Sequence, residues 1–190
     1  MNQVTASLEP NWSNWSRQRV SVIPALVLEW LKDEGSLTKR LIQASPGQFN
    51  VRLLQQNWGK ALYSEQQHLR IRRGEAAMVR EVELCSDETP WVFARSLIPA
   101  STLRGSARRL AHLGEKPLGA VLFADRNVRR GEMQIARILP RHPLFSAATS
   151  HLEQLPKELW GRRTLFYIAD KPLLVNEIFL PAIPAFAIHD

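Results

Sequence analysis

The chain has 190 residues, 45% of them apolar, and a single cysteine, Cys85. That length supports one full hydrophobic core, so a single domain is the default, and one thiol excludes an internal disulfide framework or a multi-cysteine zinc site. A formal net charge of +7 would suit nucleic acid, yet the 25 Lys and Arg lie scattered among 18 acids with no long basic run or DNA-reading motif, and a small anion is an equally good object for that charge.

Residues 1 to 16 are polar, with two isolated tryptophans and no period, and predict a loose arm over 1–19 that packs late if it packs. The start lacks a basic stretch followed by an apolar core of about 7 to 15 residues, and no apolar run nears the ~18 of a membrane span. A cytoplasmic protein without membrane insertion is therefore expected. From Pro24 the spacing of Leu26, Val27, Trp30 and Leu31 predicts a helix, with Lys32 in its last turn and Gly35 beyond. Ser36 restarts a second short helix, "LTKRLIQ". The pair lacks the basic surface of a DNA reader, so no nucleic-acid partner is expected.

Strands follow. "QFNVRLL" alternates at Phe49, Val51 and Leu53, and "AAMVREVELC" and "WVFARSLIP" flank the turn "SDETP" as a hairpin. "STLRGSARRLAHLG" reads as helical, with Leu103, Leu110 and Leu113 inward and Gly114 as its stop. "RRTLFYIA", the turn "DKP" and "LLVNEIFLP" make a second hairpin. Hairpin-linked strands interrupted by helices predict a single α+β domain over 20–186 built on an antiparallel sheet, with a tail at 187–190.

Two charges break this pattern. Alternation puts Glu177 on one face with Leu173, Val175 and Phe179, and Arg80 with Met78, Val82 and Leu84. Glu81 and Glu83 fall on the other, more polar face, where solvation is expected. A buried, unpaired ion costs several kcal/mol even after relaxation. Either Arg80 and Glu177 pair with each other or with neighbours, or each faces a cavity and is completed by a ligand: the guanidinium by a carboxylate, the carboxylate by a hydroxyl. Arg95 is a further charge in apolar company, beside Trp91, Phe93 and Leu97. Cys85 reads as an inert thiol in a strand. The histidines His68, His112, His142, His151 and His189 show no metal-ligand spacing and are expected to face solvent, and no glycine loop for phosphate is present.

The stretches "GSLTKRL", "VREVELC" with "PWVFARSLIPASTL", "LGEKPLGAVLF", "LWGRRTL" and "KPLLVNEIFLPAIP" resemble, in order, the chorismate pyruvate-lyase family. The resemblance spans about residues 20 to 186, with "NWGKALYSEQQHLRIRRG" fitting poorly. It implies one α+β domain with helical lids over an internal ligand cavity, no cofactor and no metal, and conversion of chorismate to 4-hydroxybenzoate and pyruvate, the entry to ubiquinone biosynthesis. The family's product-binding positions match Leu37, Arg80, Leu118 and Glu177, with Arg80 and Glu177 nearest the chemistry. Leu37 stands where the family member compared has methionine, a swap that conserves volume. Chorismate carries a second carboxylate, for which Arg95, Arg162 and Arg163 are candidates. Glu177 is either a base or only an orienting group. A monomer is expected. The competing reading is a non-catalytic sensing domain of the same fold, disfavoured here by the lack of a winged-helix segment before residue 20.

Overall fold

The computed structural model describes residues 8–15 and 20–185. The other parts of the predicted arm and tail, His189 included, lie outside them. Runs rich in β-branched and aromatic residues form two antiparallel meanders. The first holds β1 (Phe49–Lys60), β2 (Ala76–Ser86) and β3 (Thr89–Pro99); the second holds β4 (Val128–Ile138), β5 (Leu159–Ile168) and β6 (Lys171–Phe179). Pairing of β3 with β6 joins them into one sheet of order β1-β2-β3-β6-β5-β4, antiparallel throughout. Both predicted hairpins are present. Ala169 and Asp170, at φ 47° and 60°, link β5 to β6 through a two-residue turn with positive φ at both positions, the type that matches strand twist.

The helices are α1 (Ala25–Lys32), α2 (Leu37–Ala44), α3 (Tyr63–Leu69), α4 (Leu118–Ala124) and α5 (Pro143–Thr149). Ser36 caps α2 by accepting the N–H of Lys39 at 3.4 Å, as its position before the apolar run demands. The helix expected after Pro99 is instead a 3₁₀ segment, Gly105–His112, with Gly114 at φ 54° just beyond it. One sheet face packs under α1, α2, the 3₁₀ segment and α4, through Trp30, Leu31, Leu41, Leu110 and Leu122. The opposite face packs under α3 and α5, through Leu69, Leu144 and Phe145.

Four further expectations are corrected. The arm is not loose over its described part. Ser13 bridges Ile135 of β4 through backbone bonds of 3.1 and 2.9 Å, the Glu9 carboxylate accepts the N–H groups of Tyr63 and Ser64, and the Trp12 ring lies 4.8 Å from the Arg163 guanidinium. Glu81 and Glu83 are not solvated but 8% and 1% exposed, because α3 and α5 cover the face they share: Arg95 ties Glu81 to Glu65 of α3, and His151, just past α5, comes within 3.4 Å of Glu83. Trp91 leaves the company of Phe93 and Arg95: the register shift between Leu84 and Cys85 turns it into the cluster of Val92 and Ala94, as a bulge does by adding one residue to the alternation. His142 is buried, its Nδ1 accepting the N–H of Leu139 at 2.9 Å, and burial lowers its pKa.

Candidate active site

The residues singled out by alternation meet on the face under α2 and α4. A cavity there is lined by Leu37 and Thr38 of α2, Leu118 and Leu122 of α4, Arg80 of β2 and Glu177 of β6, together with Arg162 of β5 and Arg130 of β4. Its volume is about 50 Å³, room for roughly 3–5 water molecules and on the scale of a single ring. Its other walls are apolar except for Ser96, and include Val82, Ala94, Phe166 and Val175.

The two lids close over it where α2 meets α4. Gly119 makes that approach: a Cβ there would lie 3.0 Å from Thr38 Oγ1. Leu37 opens α2 and Leu118 opens α4, so both predicted wall residues stand at the first turn of a lid. Phe123, 49% exposed, packs edge-on against Phe166 at 6.2 Å and borders the cavity on the solvent side.

Arg80 and Glu177 are not bonded to each other. Arg80 is 2% exposed and donates Nη2 to the carbonyls of Gly114 and Lys116, both at 2.8 Å, with Nε on Gly114 at 3.3 Å. It has no carboxylate partner among the described residues, and burial pushes its pKa down to about 10. It is still a cation at neutral pH, held by neutral acceptors only. Glu177 does pair with a neighbour: Arg162 Nε donates to its Oε2 at 2.5 Å. Oε1 has no donor among the described residues. Arg162 is anchored further, its Nη1 donating to the carbonyls of Trp30, at 3.0 Å, and Asp33. Gly161 permits this closeness, since a Cβ there would sit 2.5 Å from Ile178 Cδ1 and 3.0 Å from the Glu177 carbonyl.

Of the three arginines proposed for a second anion, only Arg162 reaches the cavity. Arg95 lies on the opposite face, bonded to Glu65 at 3.0 Å and Glu81 at 2.6 Å, and Arg163 lies there too, on Gln134 and Ser64. Arg130 was not foreseen. The register shift between Arg130 and Met133 pairs Arg130 with Phe166, a cavity residue, and Arg129 with Tyr167. Straight alternation back from Ile135 would have chosen Arg129. Gly131 allows the bulge, because a Cβ there would meet the Tyr167 ring at 2.7 Å. Among the described residues no cluster of His, Cys, Asp and Glu could hold a metal ion.

An enclosed, net cationic cavity under two helical lids on one antiparallel sheet defines a small-molecule-binding α+β domain. Solved structures share that fold. The ligand-binding domain of a GntR-family transcriptional regulator from Bordetella bronchiseptica matches with a TM-score of 0.54 at 17% identity, over 77% of this chain and 92% of that one. PhnF from Mycobacterium smegmatis matches with a TM-score of 0.60 at 16% identity, over 83% and 69%. Sequence comparison is more specific. The family model described as Chorismate lyase matches residues 10–187. A protein of Methylococcus capsulatus named probable chorismate pyruvate-lyase is 46% identical over 156 residues, 81% of this chain and 94% of its own. One of the same name from Pseudomonas aeruginosa PAO1 is 41% identical over 174 residues, 90% and 93%. The chain belongs to the chorismate lyase family, and its class of activity is that of a carbon–oxygen lyase.

Proposed function

We propose that the chain converts chorismate to 4-hydroxybenzoate and pyruvate in this cavity, supplying the aromatic ring for ubiquinone. The observation that carries the reading is a largely apolar cavity holding one guanidinium with no carboxylate partner among the described residues, Arg80, and one carboxylate with an oxygen to spare, Glu177. The reaction removes the hydrogen at ring C4, breaks the bond from C3 to the enolpyruvyl oxygen, and delivers that proton to the departing enolpyruvate, which ketonises to pyruvate. Aromaticity drives it. The protein's share is to hold the ring in a reactive conformer, shield it from water and stabilise the departing oxygen.

Arg80 takes the ring carboxylate, a charge-assisted pairing in a site where it has only carbonyls to give up. Leu37 and Leu118 close on the ring. Glu177 Oε1 accepts the hydrogen bond of the C4 hydroxyl and so orients the substrate, while Oε2 stays on Arg162. Glu177→Gln tests that role. Turnover within about 10-fold of normal is expected; a loss of ~10²–10⁴, the usual worth of a general base, would make Glu177 the proton acceptor instead.

Work as a monomer in the cytoplasm belongs to the same reading. Among the described residues no helix is long and apolar enough to cross a membrane. Incubation of the purified protein with chorismate, followed by the ultraviolet absorbance of 4-hydroxybenzoate and enzymatic assay of pyruvate, tests the whole proposal. Stoichiometric appearance of both is expected. Binding without turnover would instead favour a ligand sensor, the role that the likeness to regulator ligand-binding domains brings forward.

A further inference from the structure

Charge in the cavity is unevenly spent. Arg80, Arg130 and Arg162 face it with one carboxylate, Glu177. Two positive charges are left over, which a dianion matches and a monoanion does not. Arg162 already holds Glu177 and two backbone carbonyls. Among the described residues that leaves Arg162 only Nη2 without a partner, one nitrogen where a bidentate carboxylate takes two. Arg80 belongs to the ring carboxylate in the reading above. Arg130 is the cation that remains.

The surroundings of Arg130 are unusual. Its Nη1 donates to the backbone carbonyl of Glu34, and the guanidinium lies 5.8 Å from the Phe166 ring. Nε and Nη2 have no hydrogen-bond partner among the described residues, and no carboxylate there pairs with it. Burial, and next the charge of Arg162, lower its pKa, and the nearby charges of Glu177, Glu34 and Asp33 offset this only in part, so an added anion is welcome. Glu34 is also the residue just before Gly35 and Ser36, where the chain turns into α2, and Gly35, Leu37 and Thr38 all line the cavity. One planar group therefore borders both the ligand space and the base of a lid.

We propose that Arg130 distinguishes substrate from product. Nε and Nη2 bind the second carboxylate, the one that leaves with pyruvate, while Nη1 stays on the Glu34 carbonyl. A fixed fork with donors on two edges can serve both at once, which a lysine ammonium cannot do in the same geometry. Hydrogen bonds in such a chain polarise and strengthen one another, so a dianion fastens α2 more firmly than a monoanion does. Once pyruvate departs, Arg130 holds only a neutral carbonyl, and the lid is less tightly tied over 4-hydroxybenzoate. Arg130 is thus a binding and lid-positioning residue.

This assignment rests on the proposed reaction, but its test needs no turnover. Calorimetry compares 4-hydroxybenzoate, with one carboxylate, and 3-carboxymethoxy-4-hydroxybenzoate, a stable ligand with a second carboxylate on an ether arm. In Arg130→Gln the dianion is expected to lose about 30-fold or more in affinity, and 4-hydroxybenzoate less than about 3-fold. Arg80→Gln lowers both. Hydrogen exchange of the amides from Glu34 to Leu41 supplies the second readout: in the unaltered protein the dianion slows it more than the monoanion, and in Arg130→Gln the two ligands act alike. If Arg130→Gln folds poorly, Arg130→Lys serves, keeping the charge and losing the fork, with a smaller dianion loss and the same loss of lid protection. Equal losses for the two ligands, no loss for the dianion, or no dianion binding to the unaltered protein overturns the assignment. Failure to convert chorismate while these ligand differences hold would overturn the reaction and leave the dianion site standing.

Discussion

The two faces of the sheet carry the same residue types and use them in opposite ways. Neighbouring positions alternate between them: Arg80 and Glu81 on β2, Arg162 and Arg163 on β5, Asn176 and Glu177 on β6. On the face under α3, Arg95 receives two carboxylates, Glu65 and Glu81, and Asn176 donates to Glu65 at 3.0 Å. Burial alone would lower the Arg95 pKa, but the charges and hydrogen bonds of Glu65 and Glu81 outweigh it and hold the group above its ordinary value. On the face under the lids, Arg80 receives carbonyls only, and its pKa falls to about 10. A cation matched by the chain's own anions is structure. Under the proposed function, Arg80, left with neutral acceptors beside the cavity, is prepared for a ligand.

That division predicts which substitutions damage the fold and which damage the chemistry. The largest effect belongs to Arg95→Gln, which leaves Glu65 and Glu81 buried without their cation and costs about 3–5 kcal/mol of stability, measured by urea unfolding. The folded fraction keeps its affinity for 4-hydroxybenzoate. Arg80→Gln does the reverse. Loss of the buried guanidinium weakens 4-hydroxybenzoate by about 2–3 kcal/mol, or ~30- to 150-fold, while stability falls by about 1–3 kcal/mol, less than for Arg95→Gln, because carbonyls and not charges lose their partner. A variant pair that lost both properties to the same extent would erase the distinction between the faces.

How much of this was legible in the sequence depends on whether a residue's role is set by its own strand or by what covers it. Alternation alone placed Arg80 with Met78, Val82 and Leu84, and Glu177 with Val175, on what became the cavity face. Turn chemistry at Ser36 and Gly114 located the start of one lid and the end of the 3₁₀ segment that brings two carbonyls to Arg80. What covers a face is not written in a strand. Glu81 and Glu83 read as solvated because the roof over them comes from α3 and α5, segments distant in sequence. Glu83 is further satisfied by Arg52 of β1 at 3.0 Å. Bulges hid two more residues: one inserted position turns Trp91 away from Arg95, and another aims Arg130, not Arg129, at the cavity. A period-2 reading has no term for such insertions.

The smallest expected effect probes Arg163, a cation on the roofed face with no carboxylate bonded to it among the described residues. Arg163 bonds to Gln134 and Ser64 and lies against the Trp12 ring; burial pushes its pKa down to about 10. A second positive charge beside it should be refused, and His68 is that neighbour. Its Nε2 is buried with no hydrogen-bond partner, and burial first, then the charge of Arg163, lower its pKa to about 4. The unfolded chain takes up this proton near 6.5 and the folded chain only near 4, so the unfolded state binds more protons between those values. Stability therefore falls as pH drops from about 6.5 to about 4. His68→Gln should flatten that stretch of the stability profile, and the ring resonances of His68 should titrate with a midpoint near 4. Arg163→Gln should move the midpoint upward but not to 6.5, because burial is the larger cause. A midpoint near 6.5 in the unaltered protein would mean that water reaches this face as freely as an open surface, and the contrast between a paired, roofed side and a cavity side would lose half its basis.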